Sequence, residues 1–479
     1  MRKIATGGFG DPLNHYAHSG AWFKGRLLIG TSRANLQFLK LGKLHVDIPH
    51  WPVNDLGLNY TPNFEDRVAG AEIWSLTGNR DGEFDHKRVY QSPYHPFSTE
   101  QKPFRSEISY RSMCVFRDNG SDESLFVATT SRSEGNGPDL LHSRDGITFQ
   151  RLPKPSVEPE AGQDDDQPKF SSIRNLIQYD DLIVTCVTGG SKGNINHSMN
   201  SKIYASKSPE SGAWTSINGD GFGAPPGCFC VFSLCEHQGH LYAGTAGLQG
   251  FALFKGTRTG ALSFKWELVV DGGAGRGALN QGIVAMCSFG DDLYLGTGIQ
   301  SGGHDRIHGV GPAAFEVLRM NGSGAIELLA GTDRPDYPVR SGYGPGFSNP
   351  FNAYLWRMEV HRGHLYVGTL DTSIFSLFTS TDKLSPFAAD RLKRGDLIEW
   401  LMACGGADLK RTKDGLLWES ISNNGCDNFY NYGIRTLVSN GDHLFIGTAN
   451  PFGPKIWNTD TEQYEVNRLS GAEVIMLTD

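Results

Sequence analysis

The chain has 479 residues, of which 38% are hydrophobic, 20% charged and 11% aromatic, with a formal net charge of −8. That length suits two or three average domains or one large repeat fold, and the acidic balance argues against a nucleic-acid surface, which needs a basic patch. No apolar run reaches the roughly 18 residues of a membrane span, and the N-terminal "MRKIATGGFGDPLN" lacks the apolar stretch of a signal peptide.

The 60 glycines are nearly twice the average share of about 7%. Together with aromatic and β-branched residues they point to many short strands joined by tight turns. The eight cysteines show no disulfide framework. Read without a secretion signal, they imply reduced thiols and a cytoplasmic protein.

In chain order, one phrase recurs: "GRLLIGTS" from 25, "ESLFVATT" from 123, "DDLIVTCV" from 180, "GHLYAGTA" from 239, "DDLYLGTG" from 291, "GHLYVGTL" from 363 and "DHLFIGTA" from 442. The first leucines, Leu27, Leu125, Leu182, Leu241, Leu293, Leu365 and Leu444, are 98, 57, 59, 52, 72 and 79 residues apart. With insertions, that is the spacing of β-propeller blades. A further strand-like run follows each copy: "AEIWSL" (71–76), "DLLHS" (139–143), "SKIYAS" (201–206), "FALFKG" (251–256), "FEVLRM" (315–320), "ADLKRT" (407–412) and "PKIWNT" (454–459). Asp145-Gly146 and Asp414-Gly415 then mark hairpin turns. One more apolar run precedes each copy, such as "LWRMEV" (355–360).

The fold expected is therefore all-β: one seven-bladed β-propeller over 1–479 with four antiparallel strands per blade. The blades fall near 14–92, 105–153, 169–217, 228–271, 281–330, 350–422 and 430–470. The tail 471–479 reads as a strand for the closing seam. A lone four-stranded meander leaves its faces bare, whereas a ring covers them. The repeated phrase is then the second strand of each blade, its Gly-Thr end suiting a bend or a close backbone approach.

Turns before the phrase are short, while 32–70, 187–200, 298–314, 330–352 and 370–406 are long. These long segments gather on one face, where loops on a rigid scaffold carry function. A small-molecule site is expected there, with no cofactor, metal, nucleic acid or membrane span. Counting back from the phrase puts Arg111, Arg174, Arg357 and Arg435 at matching first-strand positions, against Ser19, Ser233 and Ala285 elsewhere. An arginine ring at the axis suits a carboxylate, sulfate or phosphate; the alternative is pairing with carboxylates or carbonyls between blades.

The fifth unit's loop "GIQSGGHDRIHGVGPAAFE" holds His304, Asp305, Arg306 and His308. His304 or Asp305 suits a general base, and Arg306 either binds substrate or braces the loop. Arg33, Asp271 and Tyr432 complete the set around the mouth, each with loop bracing as its alternative role. The cysteines of "GCFCVFSLCEHQGH" (227–240) alternate between strand faces, so buried thiols are expected rather than zinc. The acidic run 158–169 reads as a solvated loop.

The segments "YAHSGAWFKGRLLIGTSR", "EDRVAGAEIWSL", "GTGIQSGGHDR…GPAAFE", "GPGFSNPFNAYLWRM" and "NYGIRTLVS…HLFIGTANPFGP" resemble bacterial seven-bladed propeller proteins over almost the whole chain. The chain is more distantly similar to the propeller part of the cylindrocyclophane-forming alkylating enzymes. That resemblance implies coupling of an alkyl halide to a phenolic carbon or a carboxylate by an arginine, an aspartate and a tyrosine. Placed by motif these fall at Arg33, near Asp271 and near His304, the last a histidine where that family has tyrosine; the calcium-binding domain of that family is absent. Two further functions stay open: a lyase or glycan-acting enzyme on uronate oligosaccharides, and a non-catalytic small-molecule or glycan binder.

Overall fold

The computed structural model describes residues 1–35, 48–53, 70–79, 82–94, 105–117, 122–131, 138–153, 172–188, 201–219, 221 and 228–478. The acidic run 158–169 lies outside them. Among the described residues, antiparallel strands follow one another as meanders. Asn14–Phe23, Arg26–Arg33, Glu72–Gly78 and Phe84–Gln91 pair in sequence to make the first group. Glu107–Arg117, Glu123–Ser131, Leu140–Ser143 and Gln150–Arg151 make the second. Ser172–Tyr179, Leu182–Thr188, Ile203–Ser206 and Thr215–Ser216 make the third. Cys228–His237, His240–Gly247, Leu253–Arg258 and Phe264–Val270 make the fourth. The fifth has Gly282–Phe289, Asp292–Gly298, Val317–Met320 and Ile326–Ala330, and the sixth Asn352–His361, His364–Asp371, Leu409–Thr412 and Glu419–Ser422.

The turns into three of the repeated phrases are tight because both residues there adopt left-handed backbone: Lys24 and Gly25, Gln238 and Gly239, Arg362 and Gly363. Such turns match the twist of the strands they join. The phrase strands are covered on both faces, so Leu27, Leu182, Leu241, Leu293, Leu365 and Leu444 are fully buried. Apolar clusters lie between successive groups. One joins Leu182 and Val184 to Leu241 and Ala243, and another joins Ala17 and Ile29 to Phe445 and Val474, packing the last group against the first. The innermost strand of each group also touches that of the next, and the last, Gly433–Ser439, returns to the first, Asn14–Phe23. This cycle of meanders is a fold of the β-propeller class.

The Gly-Thr end of the phrase has a physical cause in each half. A Cβ on Gly368 would lie 2.4 Å from Ile434 Cγ2, one on Gly296 2.7 Å from Leu355 Cδ2, and one on Gly447 2.8 Å from Ala17 Cβ. The neighbouring group's inner strand thus presses on the glycine, as close approach requires. The threonine hydroxyl then accepts the N–H that opens the third strand: Glu72 on Thr31, Asp139 on Thr129, Glu316 on Thr297, Asp408 on Thr369 and Glu473 on Thr448.

The last group corrects one expectation. "PKIWNT" does not supply its third strand. Lys455–Asn458 pairs with Gln463–Val466, as a separate hairpin. Val474–Leu477, from the tail, pairs instead with Leu444–Ala449, and the N-terminal Arg2–Ala5 pairs outside it. The two ends of the chain thus complete one group together. A second departure is in the fifth group, where Val339–Tyr343 adds a parallel strand against Ile326–Ala330. Helices Pro386–Arg394 and Leu397–Cys404 interrupt the sixth group, and among the described residues no helix is long and apolar enough to cross a membrane.

Candidate functional site

Each inner strand carries a β-bulge against its partner. The register skips between Ala17 and Ser19, Tyr110 and Ser112, Ile173 and Asn175, Val231 and Ser233, Ile283 and Ala285, Leu355 and Arg357, and Ile434 and Thr436. The skipped residues are His18, Arg111, Arg174, Phe232, Val284, Trp356 and Arg435. A bulge takes a residue out of the ladder and re-aims its side chain. Repeated at one level around a cycle of inner strands, it gathers these side chains about the axis.

In four groups the side chain of the paired residue that follows the bulge donates to a carbonyl of the neighbouring group. Ser19 Oγ donates to Tyr110 O at 2.7 Å, Ser233 Oγ to Ile283 O at 2.8 Å, and Thr436 Oγ1 to Ala17 O at 2.8 Å. Arg357 holds this second position, not the first, and its Nε donates to Arg435 O at 2.9 Å. The matching of Arg357 with Arg111, Arg174 and Arg435 is therefore corrected: Trp356 is their counterpart, and the carbonyl pairing between groups holds for Arg357 and for Arg174, whose Nε donates to Phe232 O at 2.9 Å. The turns that deliver the strands are pinned by buried asparagines. Asn14 Nδ2 donates to Glu72 at 2.8 Å, Asn352 Nδ2 to Asp408 at 2.8 Å and Asn431 Nδ2 to Glu473 at 2.7 Å.

Electrostatics single out this level. Burial and then the charges of Arg357, Arg111 and Arg174 push Arg435 well below the ordinary arginine range. Burial and Arg174 bring Arg357 down to about 10, with Glu359 opposing. Arg435 is 8% exposed, and its Nε has no hydrogen-bond partner. Its guanidinium lies 5.2 Å from the Trp356 ring centroid, and that of Arg174 lies 3.7 Å from Phe232. Arg111 Nη1 donates to Ser172 Oγ at 2.9 Å. Burial and the four arginines hold His18 far below the usual imidazole range, hence neutral, with Nδ1 sharing a hydrogen bond with Ser109 Oγ.

Aromatic residues close one end of this level. Tyr16 and Tyr432 share a hydrogen bond through their hydroxyls, and burial pushes both phenols up, so both stay protonated. Trp356 packs edge-on against Tyr16 at 5.8 Å and Tyr354 at 5.9 Å. The insertion of the sixth group joins them, with Phe375 against Tyr432 and Phe452. Buried cations bearing like charges favour an anion among them, and protonated phenols give hydrogen bonds.

The other expected site residues fall elsewhere. Arg33 forms an ion pair with Asp11 at 2.8 Å and donates to Asn14 Oδ1 at 3.0 Å, bracing the turn into the first inner strand. Asp271 is exposed and follows Phe264–Val270, the outermost strand of the fourth group, while the arginines stand on innermost strands. Asp305 is 1% exposed and serves as a loop lock. It accepts Gln281 Nε2 and Gln300 Nε2 at 2.8 Å and His308 Nδ1 at 2.7 Å. Burial opposes its charge, but Gln300, His308 and Gln281 hold it down to about 2. His304 and Arg306 are half-buried on either side of it. Among the described residues no group of three or more His, Cys, Asp or Glu is arranged to hold a metal ion. Of the residues first singled out, the structure brings together Arg111, Arg174, Arg357, Arg435 and Tyr432. The sequence reading missed Tyr16, His18, Phe232, Tyr354 and Trp356.

No family model matches the sequence, and no curated protein matches it. Solved structures resemble it at low identity. A protein of unknown function from Dyadobacter fermentans is 14% identical, with a TM-score of 0.42 over 78% of this chain and 93% of that one. The β-propeller domain of the Trilobed protease from Pyrococcus furiosus is 8% identical, with a TM-score of 0.39 over 93% of each chain. A puromycin hydrolase is 10% identical, with a TM-score of 0.44 over 99% of this chain, which spans only 57% of that one. All three TM-scores lie below 0.5, so the propeller class rests on this chain's own ladders and contacts.

Proposed function

We propose that the chain is a seven-bladed propeller, four strands to a blade, that binds one small anionic molecule at its axis. The anionic group is a carboxylate, sulfate or phosphate. The observation that carries this reading is Arg435: buried to 8% exposure, its Nε without a partner, and facing the charges of Arg357, Arg111 and Arg174. A buried cation so placed is costly, and an anion of matching geometry relieves it.

Calorimetric titration with acetate, sulfate and phosphate tests it. One of them binds with 1:1 stoichiometry, Arg435→Gln weakens it at least tenfold, and affinity falls as salt rises. Equal affinity in the folded Arg435→Gln variant contradicts the proposal.

Neither enzymatic alternative has such support. His18, held far below the usual imidazole range by burial and the arginines, is too weak a base to take a proton α to a carboxylate, which leaves the lyase reading without its base. The other alternative is alkylation by Asp271, His304 and Arg33. That alternative draws no such support, since Asp271 is exposed beyond an outer strand and Arg33 is paired with Asp11.

A further inference from the structure

The skipped residues do not alternate in character around the axis. Taken from the last group through the first to the third, they are Arg435, His18, Arg111 and Arg174. Taken from the fourth to the sixth, they are Phe232, Val284 and Trp356. Neighbouring inner strands touch in this same order, so the level divides into one basic arc and one apolar arc. At both boundaries a guanidinium lies over an aromatic ring, Arg174 over Phe232 and Arg435 over Trp356.

The apolar arc is built, not left over. A Cβ on Gly433 would lie 2.2 Å from the Trp356 ring and one on Gly282 3.0 Å from Phe232 Cδ2, so both rings occupy space that glycines leave open. Trp356 and Val284 nonetheless remain partly accessible. A compact anion such as sulfate satisfies the basic arc and leaves that apolar surface in water. A ligand with a charged end and a flat apolar body covers both.

We infer that the axial ligand is an aromatic carboxylate, its carboxylate on Arg435 and its ring against Trp356 and Val284. Rings near Trp356 already pack edge-on, at 82° for Tyr16 and 73° for Tyr354, and an aromatic ligand continues that arrangement. This rests on the anion site proposed above.

The test is calorimetric titration with benzoate, cyclohexanecarboxylate, acetate and galacturonate. Benzoate binds at least tenfold more tightly than acetate or galacturonate and several-fold more tightly than cyclohexanecarboxylate. Trp356→Leu lowers benzoate affinity far more than acetate affinity and so removes that advantage; Val284→Asn, which keeps the indole, reduces it. Acetate or galacturonate binding as tightly as benzoate overturns this inference and leaves the anion site standing, as does a benzoate preference that survives in both variants. Absence of binding by every carboxylate, with sulfate and phosphate also silent, overturns both readings.

Discussion

Asp371 ends strand His364–Asp371 fully buried, where its carboxylate accepts the Ser373 N–H at 2.8 Å and Asn349 Nδ2 at 2.9 Å. Burial and the nearby charge of Asp408 push its pKa up to about 7, the hydrogen bonds only partly opposing. Between about pH 4 and pH 7 the folded chain keeps a proton there that the unfolded chain has released. Stability therefore falls as pH rises through that window and levels off above it. Asp371→Asn removes this contribution, so urea midpoints between pH 4 and pH 7 fall less steeply in the variant than in the parent chain. Identical slopes contradict the assignment. Arg435 is a buried cation to whose cost the neighbouring guanidiniums of Arg357, Arg111 and Arg174 add. The difference between a satisfied group and an unsatisfied one is what marks the axis as a site.

At the scale of the element, the repeated phrase owes its glycine to the neighbouring blade. Gly368→Ala puts a methyl group 2.4 Å from Ile434 Cγ2 with another inner-strand carbon, Ile434 Cβ, at 2.6 Å. Overpacking of this kind costs about 1–3 kcal/mol, and urea unfolding should show that loss; an unchanged midpoint contradicts close packing there. The strands themselves were legible because alternation survives in every copy. The bulges were not, since one skipped residue leaves no mark on apolar periodicity. Counting back from Leu365 therefore matched Arg357 to Arg435. Setting "YAHSGAW", "SYRSMCV", "YLWRMEV" and "GIRTLVS" against one another aligns His18, Arg111, Trp356 and Arg435 and puts Arg357 among the small polar residues Ser19, Ser112 and Thr436. That comparison of inner strands was the available signal for the missed site residues. "KIWN" misled for a different reason: it alternates like a strand, but its Trp457 N–H bonds to Pro52 O and its Ile456 bridges Val53. The hairpin thus found a partner in an insertion of the first group.

Across the whole molecule, chain order says which segments follow one another but not how far each lies from the axis. Asp271 and Arg33 both stand near strand ends on the side of the long loops, and sequence alone set them around one mouth. The ladders separate them. Inner strands carry the arginines, His18 and Trp356, whereas Asp271 trails an outermost strand. Closure behaves likewise. The tail "GAEVIMLTD" signalled a strand, yet only the pairing of Val474–Leu477 with Arg2–Ala5 joins the two ends of the chain. Whether the axis holds an anion between a basic and an apolar arc is read from anomalous scattering by crystals grown with 4-bromobenzoate. A single bromine peak near Val284 and Trp356, with the carboxylate on Arg435, is the result expected. Bromine bound only outside the ring, or an axis that stays free of it at saturating ligand, contradicts the claim.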